Sequence, residues 1–205
     1  MIGIFGGTFD PIHYGHLRPV AEVHQALQLE KLFLLPASTP PHRQAPVASA
    51  EQRLQMTKLA LDEFPGMEVD DSEIRRGGIS YTVETLEHYR RQYPHFPLCL
   101  LLGSDAFATL ETWHQWQKLP TLAHLVVMQR PHYESVAVPG WSEEHLTIDS
   151  RELSATDSGK IYFHKVTPQD ISATGIRQAI SEDQVVAALL PSTVIKYIKQ
   201  HHIYE

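Results

Sequence analysis

The chain of 205 residues predicts an α/β fold built on a doubly wound parallel sheet of five to six strands, with a small helical part at its C-terminal end. Two observations carry that prediction. Short apolar runs alternate with segments of helical spacing, and each run is continuous rather than alternating, as in strands buried on both faces. Polar, glycine-containing clusters follow the ends of those runs, where open parallel sheets gather their ligands.

Taken in order, Ile2, Ile4 and Phe5 form the first strand, which Gly6 and Gly7 break. Helical spacing begins near Tyr14 and continues through Leu17, Val20, Val23 and Leu27. Leu32–Leu35 is a second strand, followed by a proline-rich loop, Ala37–Pro46, that excludes regular structure. Glu51–Phe64 has helical spacing, with Leu54, Met56, Leu59, Ala60 and Phe64 as its apolar positions and Ser49 placed as an N-cap. Met67–Asp70 reads as a short strand and Arg75–Gly78 as a loop. Ser80 or Thr82 is positioned to cap a helix from about Val83 to Tyr93. Pro97–Leu102, the most apolar run, is the expected central strand and ends in Gly103-Ser104-Asp105. Helical pieces lead to a fifth strand, Ala123–Met128, and Ile161–Val166 is a sixth. Helices are expected from about Gly175 and from Pro191 to Gln200.

The length fits one domain, 1–205, with 131–160 as a variable surface excursion holding one short helix near Trp141–His145. A formal net charge of −7 argues against non-specific nucleic-acid binding, which needs a basic face. The single cysteine, Cys99, excludes an internal disulfide and a cysteine cage for a metal, and its leucine neighbours make it a buried strand residue. The N-terminus shows no signal peptide, and no apolar run reaches the length of a membrane span. A cytoplasmic protein without membrane contact is expected. Oligomeric state is left open, a homo-oligomer included.

The chemistry concentrates near the two ends of the chain. Ile2–His16 reads strand, glycine turn, helix, so backbone N–H groups and a helix N-terminus converge where an anion would sit. His13 and His16 lie in that turn, three residues apart; they suit phosphate hydrogen bonding, turn capping or a metal pair, for which no third ligand is evident. Asp10 reads equally as a turn residue and as a catalytic group. The spacing matches neither the Gly-x-Gly-x-x-Gly of dinucleotide binders nor a Gly-x-x-x-x-Gly-Lys-Ser/Thr phosphate loop.

Gly6-Gly7-Thr8-Phe9-Asp10-Pro11-Ile12-His13-Tyr14-Gly15-His16, together with Ile171-Ser172-Ala173-Thr174-Gly175-Ile176-Arg177, resembles the nucleotidylyltransferase superfamily, with its His-x-x-His turn and Ile-Ser-x-Thr-x-Ile-Arg motif. Pro40-Pro41-His42-Arg43, Ser80-Tyr81-Thr82, Leu102-Gly103-Ser104-Asp105, Trp113-His114-Gln115-Trp116 and Arg130-Pro131 narrow the resemblance to the bacterial nicotinate-mononucleotide adenylyltransferase family. That family joins ATP and nicotinate mononucleotide into deamido-NAD and pyrophosphate, on a Rossmann-like sheet.

The resemblance implies roles for individual residues. His13, His16 and Arg177 would be the catalytic groups, the histidines around the transferring phosphorus and the arginine on the β- and γ-phosphates. Gly6, Gly7, Thr8, Phe9, Gly103, Asp105, Ile171, Ser172 and Thr174 would bind ATP, with Asp105 on ribose hydroxyls and Ser172 and Thr174 also available as helix caps. Trp113 would stack on the nicotinate ring, Thr82 would help bind its carboxylate, and His42, Arg43 and Arg130 would contact the acceptor nucleotide or its phosphates. Trp116 reads as core packing. His114 stands where some relatives carry tyrosine.

A mononucleotide phosphate has its second pKa at about 6, so it is largely ionised and needs no general base to attack phosphorus. The remaining task is alignment and charge neutralisation. Histidine, arginine, hydroxyls and Mg²⁺ meet it, with the ion held by ATP phosphates and water rather than by protein ligands. Competing readings are an amide-preferring NMN adenylyltransferase, a pantetheine-phosphate adenylyltransferase, and a non-catalytic nucleotide-binding module.

Overall fold

A computed structural model describes residues 1–41, 45–129 and 145–205. In chain order the elements are β1 (Ile2–Gly7), α1 (Tyr14–Ala26), β2 (Lys31–Pro36), α2 (Ala50–Ala60), β3 (Met67–Val69), α3 (Ser72–Arg76), α4 (Thr82–Gln92) and β4 (Leu98–Gly103). They continue with α5 (Ser104–Ala108), α6 (Leu119–Leu122), β5 (His124–Gln129), β6 (Leu146–Thr147), α7 (Glu152–Ala155), β7 (Ile161–Lys165), α8 (Ala173–Ser181) and α9 (Ser192–Gln200). Among the described residues no helix is long and apolar enough to cross a membrane.

All seven strands join one sheet in the order β3-β2-β1-β4-β5-β7-β6, and every pairing is parallel. The strand beyond the expected five to six is β6, a two-residue edge pairing of Leu146 and Thr147 with Ile161 and Tyr162. It lies in the segment expected to be an irregular excursion, where two residues leave no periodicity to read. The helix expected near Trp141–His145 falls mostly outside the described residues.

Strand residues alternate between the two faces and fill two cores. Ile2, Ile4, Leu98, Leu100 and Leu102 pack with Val83, Leu86, Tyr89 and Phe107 on one side. Phe5, Cys99 and Leu101 pack with Leu17, Met56, Ile176, Val194 and Ile198 on the other. Burial pushes the Cys99 thiol up to about 12, which fits a small core residue rather than a nucleophile.

Several elements differ from expectation for identifiable reasons. Ser49 caps α2 with a full capping box, accepting from the Gln52 amide while its own N–H is bonded by the Gln52 side chain. The buried face of that helix is Arg53, Met56, Thr57 and Ala60, rotated from the apolar positions expected because a buried arginine occupies the stripe. Arg75 and Arg76, expected in a loop with Gly77 and Gly78, are the last residues of α3, and Gly77 follows as its C-cap. Neither Ser80 nor Thr82 caps α4: Tyr81 is the N-cap, with no side-chain cap bond, and the Ser80 hydroxyl accepts instead from Ser38 N–H at 2.9 Å.

The switch point falls between β1 and β4, where the order runs outward in both directions. These two strands are in register only from Ile2–Leu98 to Ile4–Leu100. Beyond it, β1 stays paired with β2 as far as Gly7–Pro36 and β4 with β5 as far as Gly103–Met128. The sheet therefore parts at its carboxyl edge into a crevice, the expected ligand position for this topology.

Candidate active site

A cavity of about 710 Å³ opens at that crevice, a size ordinary for a nucleotide-scale ligand. Its lining brings together Gly6, Gly7, Thr8 and His16 after β1, Gly103 and Asp105 after β4, and Thr82 and Trp113 from the α4 and post-α5 segments.

The first turn is shaped by close packing. Phe9 has φ of 51° and is 1% exposed, folding its ring back under Gly7, where a Cβ would lie 2.4 Å from it. Only Gly fits there. The Phe9 ring meets His16 edge-on, with centroids 5.2 Å apart, and His16 stacks on His13 at 3.8 Å. Phe9 lines the cavity, and its ring braces the imidazole of His16. His13 is the N-cap residue of α1, but its side chain makes no cap hydrogen bond, so capping does not account for the ring. At Gly15 an added Cβ would stand 2.8 Å from the His13 ring and 3.0 Å from the Ile171 carbonyl oxygen. The two motifs from opposite ends of the chain meet at this point.

Asp10 supports the turn. Its carboxylate, 6% exposed, accepts from Val47 N–H at 2.8 Å, Ala48 N–H at 3.0 Å and the Tyr204 hydroxyl at 2.7 Å. Burial, then this hydrogen bond, pushes the Tyr204 hydroxyl well above its ordinary range, so it stays a donor. Arg177 donates to the Asp10 carbonyl oxygen at 2.8 Å and to Thr174 Oγ1 at 3.3 Å, with its guanidinium 3.8 Å from the Asp10 carboxylate. Of the two readings of Asp10, the geometry favours the structural one. Arg53, 1% exposed, donates to the carbonyls of Thr8 at 2.7 Å, Ser38 at 2.9 Å and Ala48 at 3.3 Å.

The C-terminal motif starts α8. Ser172 is its N-cap and accepts from Gly175 N–H at 3.1 Å. Ile171, Ser172, Thr174 and Arg177 stand beside the cavity rather than among its lining residues, as does His13 behind His16. Asp105 is exposed in the first turn of α5, and a Cβ on Gly103 would meet nothing within 4 Å; the backbone there faces open space. Trp113 and Trp116 are both partly buried against the core, but only Trp113 lines the cavity. The Tyr81 and His114 rings lie 4.4 Å apart at its rim. His42, Arg43 and Arg130 lie outside the described residues.

Reasoning from the sequence did not single out Arg53, Glu73 or Tyr204. The first two are charged residues on helices, where a charge normally marks the solvated face. For Arg53 a signal existed: it sits at i, i+3, i+4 and i+7 with Met56, Thr57 and Ala60, the spacing of a buried stripe.

A doubly wound parallel sheet with a glycine turn and His16 in its crevice, and with His13 and a capped helix carrying an arginine beside it, has the form of an α/β protein with an anion-binding crevice. Residues 4–179 match the family model described as cytidylyltransferase-like. The chain is 44% identical over 208 residues, all of it and 99% of the relative, to a probable nicotinate-nucleotide adenylyltransferase of Methylococcus capsulatus. It is 44% identical to a probable nicotinate-nucleotide adenylyltransferase of Acidithiobacillus ferrooxidans, over 98% of this chain and 94% of that one. The chain belongs to the cytidylyltransferase-like family and, within it, to the nicotinate-nucleotide adenylyltransferases. The fold is shared with the Plasmodium falciparum nicotinic acid mononucleotide adenylyltransferase complexed with NaAD, at a TM-score of 0.76 and 16% identity over 99% of this chain and 96% of that one.

Proposed function

We propose that this protein, as one domain, transfers the adenylyl group of ATP to nicotinate mononucleotide, giving deamido-NAD and pyrophosphate. The observation that carries this reading is the single crevice at the β1/β4 switch point, which holds the phosphate turn and the Thr82–Trp113 end in one cavity. Family membership supports the same reading.

An oxygen of the acceptor's 5′-phosphate attacks the α-phosphorus of ATP. The bond from that phosphorus to the bridging oxygen breaks, and pyrophosphate leaves with the electron pair. Because the acceptor phosphate is largely ionised already, no residue has to remove a proton. What the site supplies is alignment and donors for the charge that builds on the α-phosphate and the leaving group. His13 and His16 serve the transferring phosphorus, held as a stacked pair against Phe9. Arg177 is oriented by the Asp10 carbonyl and Thr174 toward the β- and γ-phosphates. Gly6, Gly7 and Thr8 give close backbone approach, with Phe9 bracing them. Ile171, Ser172 and Thr174 form the capped helix start beside the phosphates, and Gly103 and Asp105 hold the ATP ribose.

On the acceptor side Trp113 stacks on the nicotinate ring and Thr82, first in α4, meets its carboxylate. His42, Arg43 and Arg130 are assigned to acceptor binding by their place in the family's motifs alone. ATP enters with Mg²⁺ as its counter-ion, held by phosphate oxygens and water.

Pyrophosphate release measured with ATP plus nicotinate mononucleotide, its amide, or pantetheine phosphate tests the reading. Turnover is expected with the first and much less with the others; equal or greater turnover with the amide overturns the substrate assignment. His16→Ala should lower kcat about 10²–10³-fold, the cost of one lost charge-stabilising donor, and near-normal kcat would make the histidine structural.

A further inference from the structure

Glu73 is a buried carboxylate to which the reaction gives no task. It is 6% exposed yet borders the acceptor end of the cavity, beside Ser80, Tyr81, Thr82 and Thr85. Thr85 Oγ1 donates to it at 2.5 Å. Burial raises the Glu73 pKa, and the Thr85 and then the Ser80 hydroxyl oppose that rise. Ser80 is held from its other side as well. Its hydroxyl accepts from Ser38 N–H, and its own N–H donates to the Thr39 carbonyl at 3.0 Å.

The segment between those two anchors contains Tyr81 and Thr82, the N-cap and first residue of α4. The Glu84 and Thr85 amides already bond to the Tyr81 carbonyl, at 3.1 and 3.3 Å. The start of the helix is therefore fixed internally, and its pose against the cavity depends on what grips residues 80 and 85. Glu73 grips both.

We propose that Glu73 is a positioning residue for the acceptor: its carboxylate clasps Ser80 and Thr85 and so holds Tyr81 and Thr82 in place at the mouth of the acceptor pocket. This rests on the reading that Thr82 meets the acceptor mononucleotide. The clasp asks for a carboxylate because two hydroxyl donors must be accepted at once. An amide offers one acceptor oxygen and turns an N–H₂ donor toward the other hydroxyl. The ATP side has supports that do not touch Ser80 or Thr85, in the Asp10 carboxylate and the Gly15 contact, so loosening the clasp acts first on the acceptor.

The unsubstituted protein is first assayed with ATP and each mononucleotide, which tests the substrate reading by itself. KM is then measured for both substrates, using whichever acceptor is turned over, or by calorimetric titration of nicotinate mononucleotide and ATP if none is. Glu73→Ala should raise the acceptor KM or Kd about tenfold, since it strands two buried hydroxyls, and leave that of ATP within about twofold. Glu73→Gln should fall between. Should Glu73→Ala fail to fold, Ser80→Ala and Thr85→Val each release one arm of the clasp, and each should shift the acceptor alone. An unchanged acceptor constant in the folded variants, or equal shifts for both substrates, would overturn the proposal.

Discussion

Gly15→Ala is the most economical probe of the proposed catalytic turn, because it adds one methyl group at the contact between the two end motifs. The new Cβ would stand 2.8 Å from His13 Nδ1, 2.9 Å from its Cε1 and 3.0 Å from the Ile171 carbonyl oxygen. Ordinary contact begins at about 3.5 Å, so the imidazole must retreat by roughly two-thirds of an ångström or the backbone at Ile171 must give. Neither is a loose side-chain end. His13 is 4% exposed and stacked on His16, which is backed in turn by Phe9. A displacement approaching 1 Å at a catalytic group costs about 10²-fold, so kcat should fall roughly 10- to 100-fold. Stability should move far less. Gly15 lies inside α1, where alanine gains up to about 1 kcal/mol in helix propensity, against about 1–3 kcal/mol for overpacking. Steady-state pyrophosphate release paired with thermal melting separates the two effects. A kcat within twofold of the unsubstituted protein would refute the claim that Gly15 sets the histidine pair.

Gly103→Ala supplies the contrast: among the described residues beyond its chain neighbours nothing lies within 4 Å of the new Cβ, so Tm should hold while the ATP KM rises, and an unchanged KM would mean that no ligand approaches there. Asp10→Ala strands two backbone amides and the Tyr204 hydroxyl, and urea denaturation should record a loss of at least about 3 kcal/mol; a loss under about 1 kcal/mol would contradict the framework role. His124 is fully buried, accepts from Lys160 N–H at Nδ1 and donates from Nε2 to the Thr156 carbonyl, and burial lowers its pKa. The unfolded chain therefore takes up a proton at about pH 6.5 that the folded protein refuses. The His124 contribution is complete above that pH and declines as pH falls toward the lower folded pKa, by at most about 1.4 kcal/mol per pH unit. The difference in stability between the unsubstituted protein and His124→Gln, followed from pH 8 to pH 5, should shrink on acidification, and a constant difference would refute it.

The legible parts of the fold were those whose sequence pattern and tertiary role agree. β1, β2, β4 and β5 are continuous apolar runs because each is covered on both faces, and the glycine turn after β1 stands out because Gly7 has no room for a Cβ beside the Phe9 ring. Sheet order is a different matter. That β1 lies beside β4, and that the crevice opens where their register ends after Ile4 and Leu100, follows from long-range packing that no local pattern encodes.

The supporting side chains were hidden for a related reason. Arg53 and Glu73 are charged, and their burial makes sense only when their partners are known: three carbonyls from two loops for Arg53, and hydroxyls at the start of α4 for Glu73. Each partner is ordinary by itself. The motifs thus advertise the groups suited to touch phosphate, since that chemistry restricts residue type at fixed spacing, whereas the groups that hold them in place are restricted only by three-dimensional neighbours. Tyr204 is the extreme case. It sits 194 residues from Asp10, one residue from the end of the chain, and its hydroxyl completes the carboxylate beneath the catalytic turn. A short C-terminal truncation should accordingly weaken the site at the opposite end of the sequence, by removing a hydrogen bond that only the folded sheet brings into being.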